Sequence, residues 1–164
     1  MKKIYINWKT IDKYITLLSS IIKKDKNIKY LVGIPRGGTI IANLLSYKTN
    51  IPVFSNAISD WSILTNDNIN MNNILIIDDI CDSGETILEY LENIFHYGDN
   101  RKKLLEVYKS NIKFATIYKH KDCKIKPSIY IKENTNWIVF PWEKNNIDML
   151  SNVTIKNINK RRKK

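Results

Sequence analysis

The chain has 164 residues, 43% of them hydrophobic, with 27 Lys and Arg against 16 Asp and Glu, for a net charge of +11. That length suffices for one domain with its own core, and no apolar stretch is long enough to span a bilayer, which argues against a membrane partner. Two cysteines, Cys81 and Cys123, are too few for a disulfide framework, and the start MKKIYINWK lacks the apolar core of a signal peptide, so a cytoplasmic location is expected.

In chain order, Ile11, Tyr14, Ile15, Leu18, Ile21 and Ile22 recur at helical spacing and predict an amphipathic helix over 8–23. A short apolar strand at 30–34 leads into Pro35, Arg36, Gly37 and Gly38, and a helical pattern follows over 39–47. A strand at 52–55 precedes an Asn-rich polar segment, SDWSILTNDNINMNN, at 59–73. Ile74, Leu75, Ile76 and Ile77 form the continuous apolar run of a strand covered on both faces, predicted over 74–78. Helices over 85–96 and 101–108 and strands over 112–118 and 129–131 complete the pattern.

Such alternation predicts an α/β fold: a mostly parallel twisted sheet flanked by helices, Rossmann-like, in a single domain over 1–150. The chain ends, about 1–10 and 132–150, are expected to form a small hood, and 151–164, ending in NKRRKK, a disordered basic tail. Lysines are spread along the whole chain together with abundant Asn and Ile, as an A/T-biased coding sequence would produce. The charge therefore does not call for a nucleic-acid partner, although a basic field would speed capture of polyanionic ligands.

The chemistry concentrates in ILIIDDICDSGET, residues 74–86. Asp78 and Asp79 fall where the strand leaves the sheet, at the carboxyl edge where open α/β sheets bind ligands. Successive strand side chains point opposite ways, so both acids can address one pair of hydroxyls only if the backbone is already turning. Asp82, Ser83, Gly84, Glu85 and Thr86 then offer backbone N–H groups and hydroxyls at a helix start, the chemistry of a phosphate site.

This run resembles the phosphoribosyl pyrophosphate signature of the type I phosphoribosyltransferases, and most closely that of the xanthine, guanine and hypoxanthine (6-oxopurine) enzymes. The resemblance implies that Asp78 and Asp79 hold the ribose hydroxyls and that Asp82, Ser83, Gly84, Glu85 and Thr86 hold the 5′-phosphate. It implies a catalytic role for Asp82 beside N7 of the purine, where a carboxylate does general acid/base work, although Asp82 also suits a helix N-cap. YLVGIPRGG, residues 30–38, resembles the family's pyrophosphate loop, with Arg36 and Gly37 as the contacts; the family often has a non-proline cis peptide between the two matching residues.

Further along, Lys119 follows a strand and matches the lysine that donates to O6 of the base, with Lys121, Lys124 and Lys126 close by in a charged run. NWIVFPWE, residues 136–143, resembles the base-binding end of these enzymes: Trp137 would stack on the purine, at about 1 kcal/mol beyond simple burial, and the Ile138 carbonyl would accept from a 2-amino group. Phe140 and Trp142 are expected in the core instead, as is Cys81.

The resemblance thus implies a purine salvage enzyme that moves the 5-phosphoribosyl group from phosphoribosyl pyrophosphate to N9 of a 6-oxopurine. Mg²⁺ is the implied cofactor, with Asp78 and Asp79 as indirect ligands through ribose hydroxyls or water, and the implied assembly is a homodimer or homotetramer. One departure stands out. The family's mobile loop carries a Ser-Tyr pair, and 59–73 has none, so a nucleotide sensor of the same fold with little turnover is the competing reading.

Overall fold

The computed structural model describes residues 2–54, 71–95, 102, 105–106 and 112–143. Residues 59–70 of the Asn-rich segment at 59–73, most of the helix expected at 101–108 and the tail at 151–164 lie outside the described residues. Of these segments, Met71–Asn73 forms a single 3₁₀ turn, and Lys102, Leu105 and Glu106 are helical.

The chain divides into two compact units, Lys9–Thr135 and the pairing of Met1–Trp8 with Asn136–Lys164. The larger is built on a five-stranded sheet whose order is β3 (Val53–Phe54), β2 (Tyr30–Gly33), β4 (Ile74–Cys81), β5 (Lys113–His120) and β6 (Ile129–Asn134). Every neighbouring pair is parallel. Helices α1 (Trp8–Ile22), α2 (Gly37–Thr49) and α3 (Glu85–Phe95) supply the intervening layers. In the smaller unit, β1 (Lys3–Tyr5) runs parallel to β7 (Trp137–Val139), with Ile4 opposite Ile138.

Hydrophobic periodicity explains the elements. On α1, Ile11, Ile15, Leu18 and Ile22 are buried while Asp12, Lys13 and Thr16 are exposed. The helix stops where Asn27 N–H turns back to the Asp25 carboxylate at 3.0 Å. α2 ends at Asn50, which takes the left-handed conformation (φ 60°) and donates to Ser46 O at 2.8 Å. β4, at the centre of the sheet, buries Ile74, Leu75, Ile76 and Ile77 on both faces, each worth about 1.5–3 kcal/mol of apolar burial. One side of the sheet packs Ile74, Ile76 and Phe114 with Ile87, Leu88 and Leu91 of α3.

Three boundaries differ from those read in the sequence. β4 does not end at the acids: it stays paired with β5 through Cys81, opposite Lys119, although its pairing with β2 stops at Ile77. β5 likewise runs to His120, so Lys119 lies within the strand rather than after it. α2 begins at Gly37, so both glycines are helical rather than turn residues.

Candidate active site

The strand order reverses between β2 and β4: from β2 the chain steps outward to β3, then returns across β2 to β4 and continues outward to β5 and β6. A crevice opens at such a point beyond the carboxyl ends of the strands. IPRGG and DDICDSGET both lead out of that point.

Close approach of backbone explains the first motif. A Cβ on Gly37 would land on the carboxylate of Asp79, and one on Gly38 on the carbonyl of Ile77. Glycine weakens a helix by about 0.5–1 kcal/mol relative to alanine, yet here no larger residue lets α2 start against β4. Ile34 N–H donates to Ile77 O at 2.8 Å and Thr39 N–H to Ile34 O at 3.1 Å, pinning the turn to the strand that carries the acids. Arg36, at the N-cap position of α2, is exposed and makes no side-chain cap, so the start of α2 is not closed by its own side chain. The cis peptide bond joins Pro35 to Arg36, one residue earlier than the expected position between Arg36 and Gly37.

Asp78 is 8% exposed, and its Oδ1 accepts the N–H of Asp79 at 2.9 Å. Burial, with the Asp79 carboxylate beside it, pushes the Asp78 carboxyl well above the ordinary carboxylate range. Opposite Asp78 on β5 is Thr116, fully buried, whose hydroxyl has no partner among the described residues. Two adjacent carboxylates are hard oxygen donors that suit Mg²⁺, but among the described residues no group of three His, Cys, Asp or Glu side chains could hold a metal alone. The pair therefore fits a magnesium ion that takes most of its ligands from substrate and water.

Past β4, Gly84 has φ 91°, a conformation that side chains avoid, and a Cβ there would meet the side chain of Ile125. The Ser83 hydroxyl accepts the Glu85 N–H at 3.2 Å. The Ser83 hydroxyl therefore engages the first N–H of α3, one of those expected to face a phosphate. Asp82 does not take the cap role; it is exposed, and its Oδ1 lies 4.0 Å from His120 Nδ1. Ser83 and Thr86 are exposed and Glu85 is half-buried.

Lys119 is 8% exposed and binds Glu133 of β6 at 2.8 Å, with its ammonium 5.4 Å from the Tyr130 ring centre. That hydrogen bond raises the Lys119 pKa and lowers that of Glu133. In the smaller unit, Trp137 is 57% exposed and its N–H donates to Lys2 O at 3.0 Å, while Ile138 is buried. Phe140 is buried and stacks on Trp142 at 4.8 Å, and Trp142 also meets Trp8 at 5.7 Å.

The larger unit therefore brings Asp78, Asp79 and Gly37 into one cluster, and sets Asp82 beside His120 and Lys119 beside Glu133. His120 and Glu133 were not singled out from the sequence. The available signal for His120 was slight: it is one of two histidines and directly follows Lys119.

An open parallel sheet with acids and two helix starts at its switch point is the arrangement with which α/β proteins bind sugar phosphates or nucleotides. The chain belongs to the phosphoribosyl transferase domain family, which it matches over residues 1–148. No curated protein matches it by sequence.

Among solved structures, it is similar to a purine phosphoribosyltransferase from Pyrococcus horikoshii Ot3, with 22% identity, TM-score 0.63, and coverage of 88% of this chain and 96% of that one. It is also similar to a Helicobacter pylori xanthine-guanine-hypoxanthine phosphoribosyltransferase, at 19% identity and TM-score 0.61, covering 92% and 99% of the two chains. A third similar structure is a hypothetical protein from Neisseria gonorrhoeae with bound ppGpp, at 19% identity and TM-score 0.63, covering 92% and 94%. These likenesses agree with the parallel α/β fold. No described helix is long and apolar enough to cross a membrane.

Proposed function

We propose that the protein transfers the 5-phosphoribosyl group from phosphoribosyl pyrophosphate to N9 of a 6-oxopurine, guanine, xanthine or hypoxanthine, with release of pyrophosphate. The observation that carries this reading is the seating of Gly37 against the Asp79 carboxylate, which joins an anion-binding helix start to an acid pair. Asp78 and Asp79 bind the ribose hydroxyls, the segment from Asp82 through Ser83, Gly84, Glu85 and Thr86 binds the 5′-phosphate, and Arg36 with Gly37 takes the pyrophosphate. Asp78 and Asp79 would hold Mg²⁺ indirectly, through ribose hydroxyls or water, and the ion would supply charge neutralisation for the leaving pyrophosphate.

Asp82 is exposed on the loop and is the assigned acid/base group for N7 of the purine. Lys119 donates to O6, its stem steadied by Glu133. Trp137 offers an exposed ring to a planar base, and the Ile138 carbonyl is assigned to its edge. Much of the acceleration comes from positioning. The reading extends to a cytoplasmic homodimer or homotetramer.

A second reading is a nucleotide sensor of the same fold with little turnover, favoured by the ppGpp-bound structure that this chain resembles. Incubating the protein with phosphoribosyl pyrophosphate, Mg²⁺ and each of guanine, hypoxanthine, xanthine and adenine separates the two. The expected product is a 6-oxopurine nucleotide. Nucleotide binding without product from any base would establish the sensor, and conversion of adenine alone would remove the roles given to Asp82 and Lys119.

A further inference from the structure

Two thiols meet beneath the phosphate loop. Cys81 ends β4 and is buried, 3% exposed, whereas Cys123 lies in the turn after β5 and is partly exposed. Their sulfurs are 2.6 Å apart, and both lie within reach of the Ile125 carbonyl, at 3.3 and 2.9 Å. Neither sulfur has a part in the transfer chemistry. Among the described residues no group of three potential ligands could hold a metal, so none of them completes a zinc site around the pair.

The segment carrying Cys123 touches the loop and the strand end that leads into it at three places. Cys123 meets Cys81, the side chain of Ile125 fills the space where Gly84 has no Cβ, and His120, whose carbonyl accepts the Cys123 N–H at 3.1 Å, stands beside Asp82. A bond at the first contact therefore constrains the other two. We propose that Cys81 and Cys123 form a reversible thiol–disulfide couple whose oxidation stiffens the loop running from Asp82 to Thr86.

A peroxide is a sufficient oxidant. The thiolate of Cys123, the more exposed sulfur, attacks one peroxide oxygen; an S–O bond forms, the O–O bond breaks, and the departing hydroxide takes up a proton to leave as water. The Cys81 sulfur then attacks the Cys123 sulfenic acid, forming S–S and breaking S–O, and a second water leaves with the remaining protons. Two thiols lose two electrons and two protons, and the peroxide becomes two waters. A small-molecule dithiol reverses the step by thiol–disulfide exchange.

The test compares the full-length chain, fully reduced, with the same protein treated with hydrogen peroxide, alongside Cys123→Ser and Cys123→Ala. Free thiols are counted after denaturation, intact mass is measured, and amide hydrogen exchange is followed over 82–88. The expected result is loss of both thiols and of the mass of two hydrogens in a monomeric chain, restored by dithiothreitol. Exchange over 82–88 should slow about threefold in the oxidised protein and stay unchanged in treated Cys123→Ser or Cys123→Ala, in keeping with the control that local contacts exert on opening. Survival of both thiols, or disulfides only between chains, would overturn the couple, and an intramolecular disulfide with unchanged loop exchange would overturn its link to the loop. None of these readouts depends on which reaction the site performs.

Discussion

The Lys119 ammonium and the Glu133 carboxylate are 2.8 Å apart because their α-carbons are register partners on β5 and β6. The lysine is nearly buried while the glutamate is about half exposed, so the pair holds a long, flexible side chain in one place rather than adding much stability. Glu133→Gln should raise the KM for the purine about three- to tenfold and leave that for phosphoribosyl pyrophosphate unchanged. Its effect on stability should stay within about 1 kcal/mol, as for other partly exposed pairs. Steady-state kinetics with guanine and hypoxanthine, together with thermal melts, check both halves.

Asp78→Asn should separate stability from function. The native carboxyl is buried beside Asp79, and the amide keeps its shape without the charge. The variant should melt at a higher temperature than the wild type. It should also bind phosphoribosyl pyrophosphate at least about tenfold more weakly, near 1.4 kcal/mol, because an amide accepts less well from ribose hydroxyls and attracts Mg²⁺ less than a carboxylate. Calorimetry for binding and melting gives both numbers.

Gly37→Ala tests the contact between the two motifs. Its new methyl group would sit on the Asp79 carboxylate, and overpacking of this kind costs about 1–3 kcal/mol. A urea midpoint should fall accordingly, and pyrophosphate release should slow, whereas Gly33→Ala, which meets backbone atoms of Gly38 and Thr39, should lose stability first.

Asp82→Asn should lower kcat by about 10²–10⁴-fold, the range for loss of a general acid or base, with phosphoribosyl pyrophosphate binding nearly intact. Because the Ser83 hydroxyl rather than Asp82 engages the first N–H of α3, the fold should not suffer. A parallel fall in binding would leave Asp82 as a phosphate-loop contact only and remove its acid/base role.

Acid and base should act on the fold with opposite signs at two carboxylates. The Lys113 hydrogen bond holds Asp25 below the usual range, so its small stabilisation is present above the unfolded pKa and is lost as pH falls through the folded value. Asp78 is raised, so the native state binds the extra proton, and stability declines as pH rises from the ordinary carboxylate range through the raised value. Melting temperatures across that window should show the decline in the wild type and lose it in Asp78→Asn.

Much of the fold was legible because burial on both faces leaves a continuous apolar run, as in Ile74 to Ile77, and burial on one face leaves helical spacing, as in α1. The ends of elements were less legible. Asp78 to Cys81 reads as a polar exit from the sheet, and only the distant partner β5 keeps it a strand. Gly37 and Gly38 read as a turn, since their helical state follows from the close approach of β4, which is a tertiary fact. Motif order did indicate where acids and glycines would gather. Cross-strand register was invisible, which is why Glu133 beside Lys119 and His120 beside Asp82 emerged only in three dimensions.

The pairing of β1 with β7 has a consequence for synthesis on the ribosome. Lys3 emerges about 130 residues before its partner Trp137, which follows every strand of the five-stranded sheet, and contacts so distant in sequence form slowly. The first strand must wait unpaired until Trp137 has been made.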